Sequence, residues 1–331
     1  MTEAPLDVLC IGNAIVDVIA RVDDRFIESQ GLVKGSMAII DEERAGTLCA
    51  GMGQAIEVSG GSAGNTAAGV ASFGAKAAFI GKVRDDQLGS IFRHDMQAQG
   101  VRFDSVAAKE GPATARSFIL VTPDGERTMN TYLGASVNLH PADIDAGIVG
   151  GASVTYMEGY LWDRPQAKDA FKLTAKIARA QQRMTAITLS DAFCVERHRE
   201  SFLDLIRNGI DIVFANESEI KSLYRTESFD SAREAIRRDC SMAVLTRSAA
   251  GSVVVKSGET HVIPAYPVKK VVDLTGAGDL FAAGFLFGFT SGKPLRHCAE
   301  LGALAAAEVI SHMGARPEVE LESHARAAGL L

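Results

Sequence analysis

The sequence predicts an α/β fold, a doubly wound and mostly parallel sheet flanked by helices, with a small β lid. Short runs rich in β-branched residues alternate with helix-length amphipathic segments from Leu6 to His312. Strands separated by helices form parallel sheets that are covered on both faces. Two segments, 21–59 and 113–134, depart from this alternation, and an insertion with strand character indicates a lid.

The alternating part of the chain is expected to form the core, which consists of residues 1–20, 60–112 and 135–331. Apolar periodicity predicts its elements in order. Helices are expected at Ser62–Phe73, Gln87–Gln99, Gln166–Gln182, Arg197–Asn208, Phe229–Arg238, Gly276–Gly288 and Leu295–His312. Strands are expected at Leu6–Ile11, Ala77–Ile80, Val154–Met157, Thr185–Leu189, Ile212–Ala215 and Ala243–Thr246, with a hairpin of Val253–Val255 and His261–Ile263.

The two inserted segments, 21–59 and 113–134, are expected to form the lid. In the second segment, the alternating runs Ala115–Val121 and Arg127–Leu133 flank the turn Pro123-Asp124-Gly125. A Pro-Asp-Gly turn between alternating runs is a good hairpin signal. The first segment carries charged and small residues between the first strand and the first core helix.

Composition excludes several classes of protein. The 331 residues carry a formal net charge of −7, which argues against a broad surface for nucleic acid or an anionic membrane. Any bound phosphate must therefore be held by local geometry. The five cysteines form no disulfide or metal pattern, no apolar run is long enough to span a bilayer, and the first residues lack a secretion signal. A cytoplasmic protein is expected.

The segment Asp273-Leu274-Thr275-Gly276-Ala277-Gly278-Asp279 leads directly into an apolar helix. Backbone N–H groups at such a helix start are unpaired and form an anion-binding nest, which glycine lets a phosphate approach. Asp279 lies in the first turn, where the helix dipole keeps it ionised and where it can take a proton from an attacking hydroxyl. The alternative is a glycine turn with Asp279 as an ordinary helix-start residue.

The segment Gly60-Gly61-Ser62-Ala63-Gly64-Asn65 also opens a helix with small residues. A ligand can approach its backbone while Asn65 offers both a donor and an acceptor. Tight packing of a helix on a sheet selects glycine as well, so this segment alone is weak evidence. Neither glycine segment matches the dinucleotide pattern G-x-G-x-x-G, and the Walker A pattern is absent.

Four ordered motifs together resemble the ribokinase-like (PfkB) family of carbohydrate and nucleoside kinases. They are Gly12-Asn13-Ala14-Ile15-Val16-Asp17, Gly60–Asn65, Asn216-Glu217-Ser218-Glu219 and Asp273–Asp279, and the likeness extends from Leu6 to about Pro317. The resemblance implies an ATP-dependent kinase, a phosphotransferase with an alcohol group as acceptor. Such catalysis depends mainly on positioning and charge neutralisation. The alternative from another class is a catalytically silent sensing module.

The resemblance implies roles for individual residues. Asp279 would be the catalytic base, and the backbone of Gly276, Ala277 and Gly278 would form the anion hole. Arg127 would reach the transferring phosphate, although a hairpin surface charge explains it equally well. Asp17 would clasp two sugar hydroxyls through its two oxygens. The implied substrate-binding residues are Asn13, Asp17, Gly61, Ser62, Asn65 and Tyr160.

ATP and Mg²⁺ are the implied cofactors. The residues on the nucleotide side would be Asn216, Thr246, Gly251, Gly276 and Gly278. Glu219 with Asn216 would organise Mg²⁺ and its waters, since a hard cation seeks oxygen ligands; a helix cap is the alternative for Asn216. Some family members also use a monovalent cation such as K⁺, for which Asp273 and Thr275 are available. Leu274 stands where the family usually has a small hydroxylated residue.

The long first lid segment is similar to the adenosine-kinase branch of the family, in which apolar lid residues cover a base. Met37, Ile39 and Ile40 could provide that cover. Tyr160 and Trp162 follow the carboxyl end of a strand, where an aromatic ring could stack on a purine; core or rim positions are the alternative. The expected activity is phosphorylation of the 5′-hydroxyl of adenosine or a related purine nucleoside. The alternative is a sugar kinase of the ribose or fructose type, and a homodimer is compatible with either.

Overall fold

The computed structural model describes residues 6–331 and confirms the predicted α/β class. Its strands are β1 (Leu6–Ile11), β2 (Ile15–Arg21), β3 (Met37–Ile39), β4 (Ala55–Gly60), β5 (Ala77–Ile80), β6 (Val101–Arg102), β7 (Ala115–Val121), β8 (Arg127–Tyr132), β9 (Ala152–Glu158), β10 (Met184–Thr188), β11 (Ile212–Asn216), β12 (Met242–Thr246), β13 (Ser252–Lys256) and β14 (Glu259–Ile263). Its helices are α1 (Asp24–Ser29), α2 (Glu42–Gly51), α3 (Ser62–Ser72), α4 (Gln87–Ala98), α5 (Ala146–Gly151), α6 (Pro165–Ala180), α7 (Ala192–Gly209), α8 (Glu217–Tyr224), α9 (Phe229–Asp239), α10 (Ala277–Thr290), α11 (Leu295–Val309) and α12 (Leu321–Ala327).

The large sheet has nine strands in the order β14-β13-β12-β11-β10-β9-β1-β5-β6. The strands from β6 to β12 are parallel, and β13 and β14 add an antiparallel edge. Helices α3, α10 and α11 cover one face, whereas α6, α7, α8 and α9 cover the other. Strands buried on both faces read as continuous apolar runs, which is why the sequence locates them well. Within residues 6–331, none of the helices is both long and apolar enough to cross a bilayer.

Helices α3 and α10 are in close contact at one glycine. A Cβ added to Gly69 would lie 2.6 Å from the Cβ of Ala283 and 2.7 Å from a methyl carbon of Leu280. The absence of that Cβ lets the two backbones approach. The first turns of both helices, which carry the glycine motifs, therefore meet at one place.

The small sheet has five strands in the order β3-β8-β7-β2-β4. The predicted hairpin supplies β7 and β8, but β2 belongs to this sheet as well, so the predicted core boundary at residue 20 falls within one of its strands. The alternating burial along Ile15–Arg21 is typical of a sheet with one covered face. The action of the sheet as a lid stays a prediction.

Helix α7 begins five residues before the predicted start at Arg197. Asp191 caps it, because its Oδ1 accepts a hydrogen bond of 2.6 Å from the backbone N–H of Cys194. The helix is kinked at His198, where φ is −123°. The predicted helix therefore corresponds to the segment after the kink, and the polar capping residue accounts for the added turn.

Candidate active site

A cavity of about 730 Å³ lies at the carboxyl ends of the parallel strands and is bordered by the small sheet. Open α/β sheets bind ligands at this edge. Most predicted site residues line it, namely Asn13, Asp17, Gly61, Ser62, Asn65, Tyr160, Asn216, Glu219, Thr246, Gly276, Ala277, Gly278 and Asp279. Of the predicted site residues, Arg127 and Gly251 are not part of this lining. The four motifs therefore converge on one cavity.

Asp279 is held by the glycine motif at the start of α3. Ser62 Oγ donates to its Oδ1 at 2.6 Å, and Asn65 Nδ2 donates to its Oδ2 at 2.9 Å. Burial raises the pKa of Asp279 above its ordinary value, while these two hydrogen bonds and the charge of Arg316 act in the opposite direction. A fixed carboxylate with increased proton affinity is well suited to accept a proton.

The start of α10 next to Asp279 has the geometry of an anion site. Gly276 caps the helix with φ of +80°, and a Cβ there would lie 2.9 Å from the Cα of Ala315. A Cβ on Gly278 would meet nothing within 4 Å, so the space in front of this residue is open. The first N–H groups of a helix have no partner within it. A phosphate can therefore approach them closely.

Asp17 lies on β2 and faces the same cavity. Gly60 leaves room for its carboxylate, since a Cβ at Gly60 would lie 2.5 Å from it. Burial raises the pKa of Asp17 to about 6, the charges of Arg316 and Arg127 lower it, and Asp279 raises it. Two carboxylates thus face one space, and a nearby arginine favours their charged form.

Gly61→Ala is expected to destabilise the protein and to weaken substrate binding. Gly61 has φ of +81°, and a Cβ would lie 2.3 Å from the carbonyl oxygen of Asn13. Strained φ alone costs on the order of 1–3 kcal/mol, and the clash would shift the cavity wall. Thermal unfolding and KM check this, with Gly46→Ala in α2 as the control because a Cβ there meets nothing within 4 Å. Equal thermal midpoints and KM values in both variants would contradict it.

Glu158, at the end of β9, is a cavity residue that sequence analysis missed. Its carboxylate accepts from Asn13 Nδ2 at 2.6 Å and from the backbone N–H of Ala63 at 3.0 Å, and burial raises its pKa to about 7. Asn13 Oδ1 in turn accepts from Ser136 Oγ at 2.9 Å. Glu158 therefore fixes the amide of Asn13 against the start of α3. An acidic residue closing an apolar strand was the available signal.

The Asn216–Glu219 motif forms a capping box at the start of α8. The backbone N–H of Glu219 donates to Asn216 Oδ1, and that of Asn216 donates to Glu219 Oε2, both at 2.9 Å. Burial raises the pKa of Glu219 to about 7. Residues 6–331 contain no cluster of three His, Cys, Asp or Glu side chains suited to a metal. Both residues nevertheless line the cavity and offer oxygen atoms, so they fit a Mg²⁺ that is held largely by water and phosphate.

Arg127 pairs with Asp273 rather than lying on the hairpin surface. Its guanidinium donates to the Asp273 carboxylate and to Thr275 Oγ1, and its side chain is 11% exposed. The same carboxylate accepts from Thr275 Oγ1 at 2.7 Å and from the backbone N–H of Gly314 at 2.9 Å. Because arginine supplies the positive charge, this arrangement does not fit K⁺ between Asp273 and Thr275. The contact of Arg127 with a phosphate stays a prediction.

The structure separates the two aromatic residues proposed to stack on a base. Tyr160 lines the cavity and is 38% exposed, whereas Trp162 is completely buried and stacks on Phe202 at 5.4 Å between ring centroids. A stacking role for Trp162 is therefore wrong, because packing of its large apolar ring completes the core. Phe193, which sequence analysis missed, is 75% exposed and lines the cavity with Tyr160. Met37 supplies an apolar wall from β3.

Thr246 and Gly251, both predicted on the nucleotide side, differ in their position relative to the cavity. Thr246 ends β12 and lines the cavity. Gly251 lies behind it at φ of +84°, where a Cβ would lie 2.1 Å from the carbonyl oxygen of Ile263. The tight turn before β13 accounts for this glycine, and its cofactor role stays a prediction.

Comparisons with known proteins match nearly the whole chain. The family model of the pfkB family carbohydrate kinases matches residues 6–321. The crystal structure of an adenosine kinase from Sinorhizobium meliloti is 57% identical with a TM-score of 0.90, and the match covers 98% of this chain and 100% of that one. The structure of a probable sugar kinase from Rhizobium etli CFN 42 is 52% identical with a TM-score of 0.91, and the match covers 99% and 100%. An adenosine kinase from Schizophyllum commune is 27% identical over 342 residues, which cover 94% of this chain and 98% of that protein.

Proposed function

The chain belongs to the pfkB family of carbohydrate kinases, and we propose that it uses ATP to phosphorylate the 5′-hydroxyl of adenosine or a related purine nucleoside. The observation that carries this proposal is the convergence of Asp279, Ser62 and Asn65 on the anion nest at Gly276–Gly278. The 57% identical relative named as an adenosine kinase favours the nucleoside as acceptor.

The residues of the cavity divide the reaction among them. Asp17 accepts hydrogen bonds from two ribose hydroxyls and thereby holds the nucleoside. Asp279 takes the proton of the 5′-hydroxyl as its oxygen bonds to the γ-phosphorus of ATP, while the bond from that phosphorus to the β–γ bridging oxygen breaks and ADP leaves. The N–H groups at Gly276–Gly278 face the charge that develops on the transferred group.

Mg²⁺ would be held near Asn216 and Glu219 through its own waters. When bound, it neutralises charge on the phosphates of ATP. The capping box keeps the two side chains in a fixed position at the cavity wall. The proposal includes no monovalent cation, since Arg127 already neutralises Asp273.

A purine would lie between the aromatic and the lid residues of the cavity. Tyr160 and Phe193 offer exposed rings, and Met37 and Ile39 offer apolar side chains from β3 that are 52% and 58% exposed. Exposed apolar residues lining one cavity indicate a ligand with an apolar face. A free sugar presents a smaller apolar surface than a purine, so these residues favour a nucleoside.

Adenosine is expected to give a kcat/KM at least about a hundredfold above that of ribose or fructose, because burying a base adds binding energy of several kcal/mol. Steady-state kinetics with saturating ATP and Mg²⁺ measure this for each acceptor. Phe193→Ala should reduce the value for adenosine and leave that for a free sugar nearly unchanged. Asp279→Asn gives the background rate.

If a free sugar reacts with a higher kcat/KM than adenosine, the acceptor is a sugar and not a nucleoside. That second candidate is supported by the 52% identical relative named as a probable sugar kinase. Absence of ATP turnover across nucleosides and sugars would instead indicate a silent sensing module.

A further inference from the structure

Arg316 connects three parts of the site although it belongs to none of the four motifs. It lies between α11 and α12, and Nη1 donates to the carbonyl oxygen of Gly64 at 2.7 Å. Nη2 donates to the carbonyl oxygen of Ser59 at 2.9 Å and to Ser59 Oγ at 3.0 Å. Ser59 precedes the end of β4 in the small sheet, whereas Gly64 lies in the first turn of α3. One side chain therefore spans the junction between the small sheet and α3.

This junction determines where the substrate contacts of α3 lie. Gly61 makes the turn with a positive φ of +81°, Ser62 opens α3, and Asn65 follows Gly64 directly. Ser62 and Asn65 are the two residues that hold Asp279. Fixing the backbone at both ends of this turn fixes the direction of both side chains. Preorganisation of this kind is a large part of what a kinase supplies.

The charge of Arg316 is not consumed by its hydrogen-bond partners, which are neutral carbonyl and hydroxyl oxygens. Burial lowers the pKa of Arg316 to about 10, and the neighbouring carboxylates of Asp95, Asp17 and Asp279 oppose that change. The guanidinium thus remains positive at neutral pH. Arg316 also borders a second cavity of about 610 Å³ together with Asp17 and Asn65.

We propose that Arg316 is a positioning residue of the kinase reaction, which clamps the turn between β4 and α3 and supplies the positive charge that lets Asp17 and Asp279 face one substrate as carboxylates. The proposal rests on the proposed function, because both carboxylates act on the acceptor there. Two carboxylates that share a cavity repel each other unless a cation is near. The charge of Arg127 also acts on Asp17, but Arg316 is the cation whose charge acts on both carboxylates.

The test compares Arg316→Met and Arg316→Lys with the wild type. Arg316→Met removes the charge and the three hydrogen bonds to Gly64 and Ser59, and we expect kcat/KM for the preferred acceptor to fall at least about tenfold. Arg316→Lys keeps the charge and is expected to recover part of that loss. Arg326→Met is the matched control, since that side chain is 61% exposed on α12 and lies away from the cavity. Hydrogen exchange of residues 59–66 should accelerate in Arg316→Met, because the turn loses its clamp.

The pH dependence of kcat separates the charge from the clamp. The groups with charge effects around Asp279 are Arg316 from the loop after α11, Asp17 from β2, Glu158 and Tyr156 from β9, Tyr160 from the turn after β9, and Cys10 from β1. A base acts only above its own pKa, and a nearby cation lowers that pKa. The acid limb should therefore move to higher pH in Arg316→Met, by about half to one unit, and should stay nearly in place in Arg316→Lys.

A folded Arg316→Met enzyme with wild-type kcat, KM, pH profile and hydrogen exchange would overturn the proposal. If Arg316→Met does not fold, Arg316→Lys becomes the test. An acid limb at the wild-type pH together with a lowered kcat/KM supports the proposal. Kinetics and hydrogen exchange identical to those of the wild type contradict the need for the guanidinium clamp. A wild-type enzyme inactive on every nucleoside and sugar would reject the proposed function instead, so the two failures are distinguishable.

Discussion

Asp279→Asn is expected to lower kcat by at least about a hundredfold and to leave the affinity for the acceptor nearly unchanged. Asparagine has almost the same shape and can still accept from Ser62, but it cannot take the proton of the attacking hydroxyl. In the wild type, Asn65 Nδ2 donates to Asp279 at 2.9 Å. In the variant, the new amide nitrogen would face this donor. Steady-state kinetics give kcat, and calorimetric titration with adenosine gives Kd.

Asp230→Asn is a suitable control because that side chain is 76% exposed on α9. We expect it to have wild-type kinetics. In the wild type, kcat should decrease toward low pH, since burial raises the pKa of Asp279 and a protonated carboxyl cannot act as a base. Near-normal turnover in Asp279→Asn would show that another group accepts the proton.

Asp17→Ala is expected to raise KM for the acceptor at least about fiftyfold, because hydrogen bonds to a charged group contribute about 1.5–3 kcal/mol each and two would be lost. The carboxylate lies on β2, faces the cavity and is not part of the α10 nest. KM for ATP should therefore change little. Initial rates with each substrate varied in turn separate the two constants.

Glu57→Ala, on the neighbouring strand β4, is the matched control for Asp17→Ala. Its side chain is exposed and does not line the cavity. The variant should retain both KM values. An unchanged KM for the nucleoside in Asp17→Ala would remove Asp17 from the sugar site and assign the clasp to another residue.

The sequence predicted the parts of the site that consist of consecutive residues. The glycine segments 60–65 and 273–279 each begin a helix, and the run after Asp279 is apolar enough to mark α10 as a core element. The convergence of these segments on one cavity followed from the family resemblance, since spacing in the sequence alone does not show which helix starts meet. Gly69 permits that meeting, because a Cβ there would clash with Ala283 and Leu280.

Long-range contacts account for what the sequence did not reveal. Arg316 reaches Gly64 and Ser59 across 252 and 257 positions of the chain, and an isolated arginine in a loop carries no signal of that. Most of strand β2 was predicted to belong to the core, whereas its pairing with β4 and β7 places it in the small sheet. For Trp162 the choice between cavity and core depended on packing against Phe202.

The close packing of α3 on α10 leaves the site residues on two parts of the fold. Ser62, Asn65 and Asp279 lie on α3 and α10, whereas Asp17 and Arg127 lie on the small sheet. A rotation of that sheet would move Asp17 and Arg127 away from Asp279. With the sheet rotated away, we expect the enzyme to bind ATP without hydrolysing it. Asp17 and Arg127 would reach the site only when the acceptor binds. Protection of ATP against hydrolysis would then depend on the position of the small sheet, and Gly69 would keep α3 and α10 packed together.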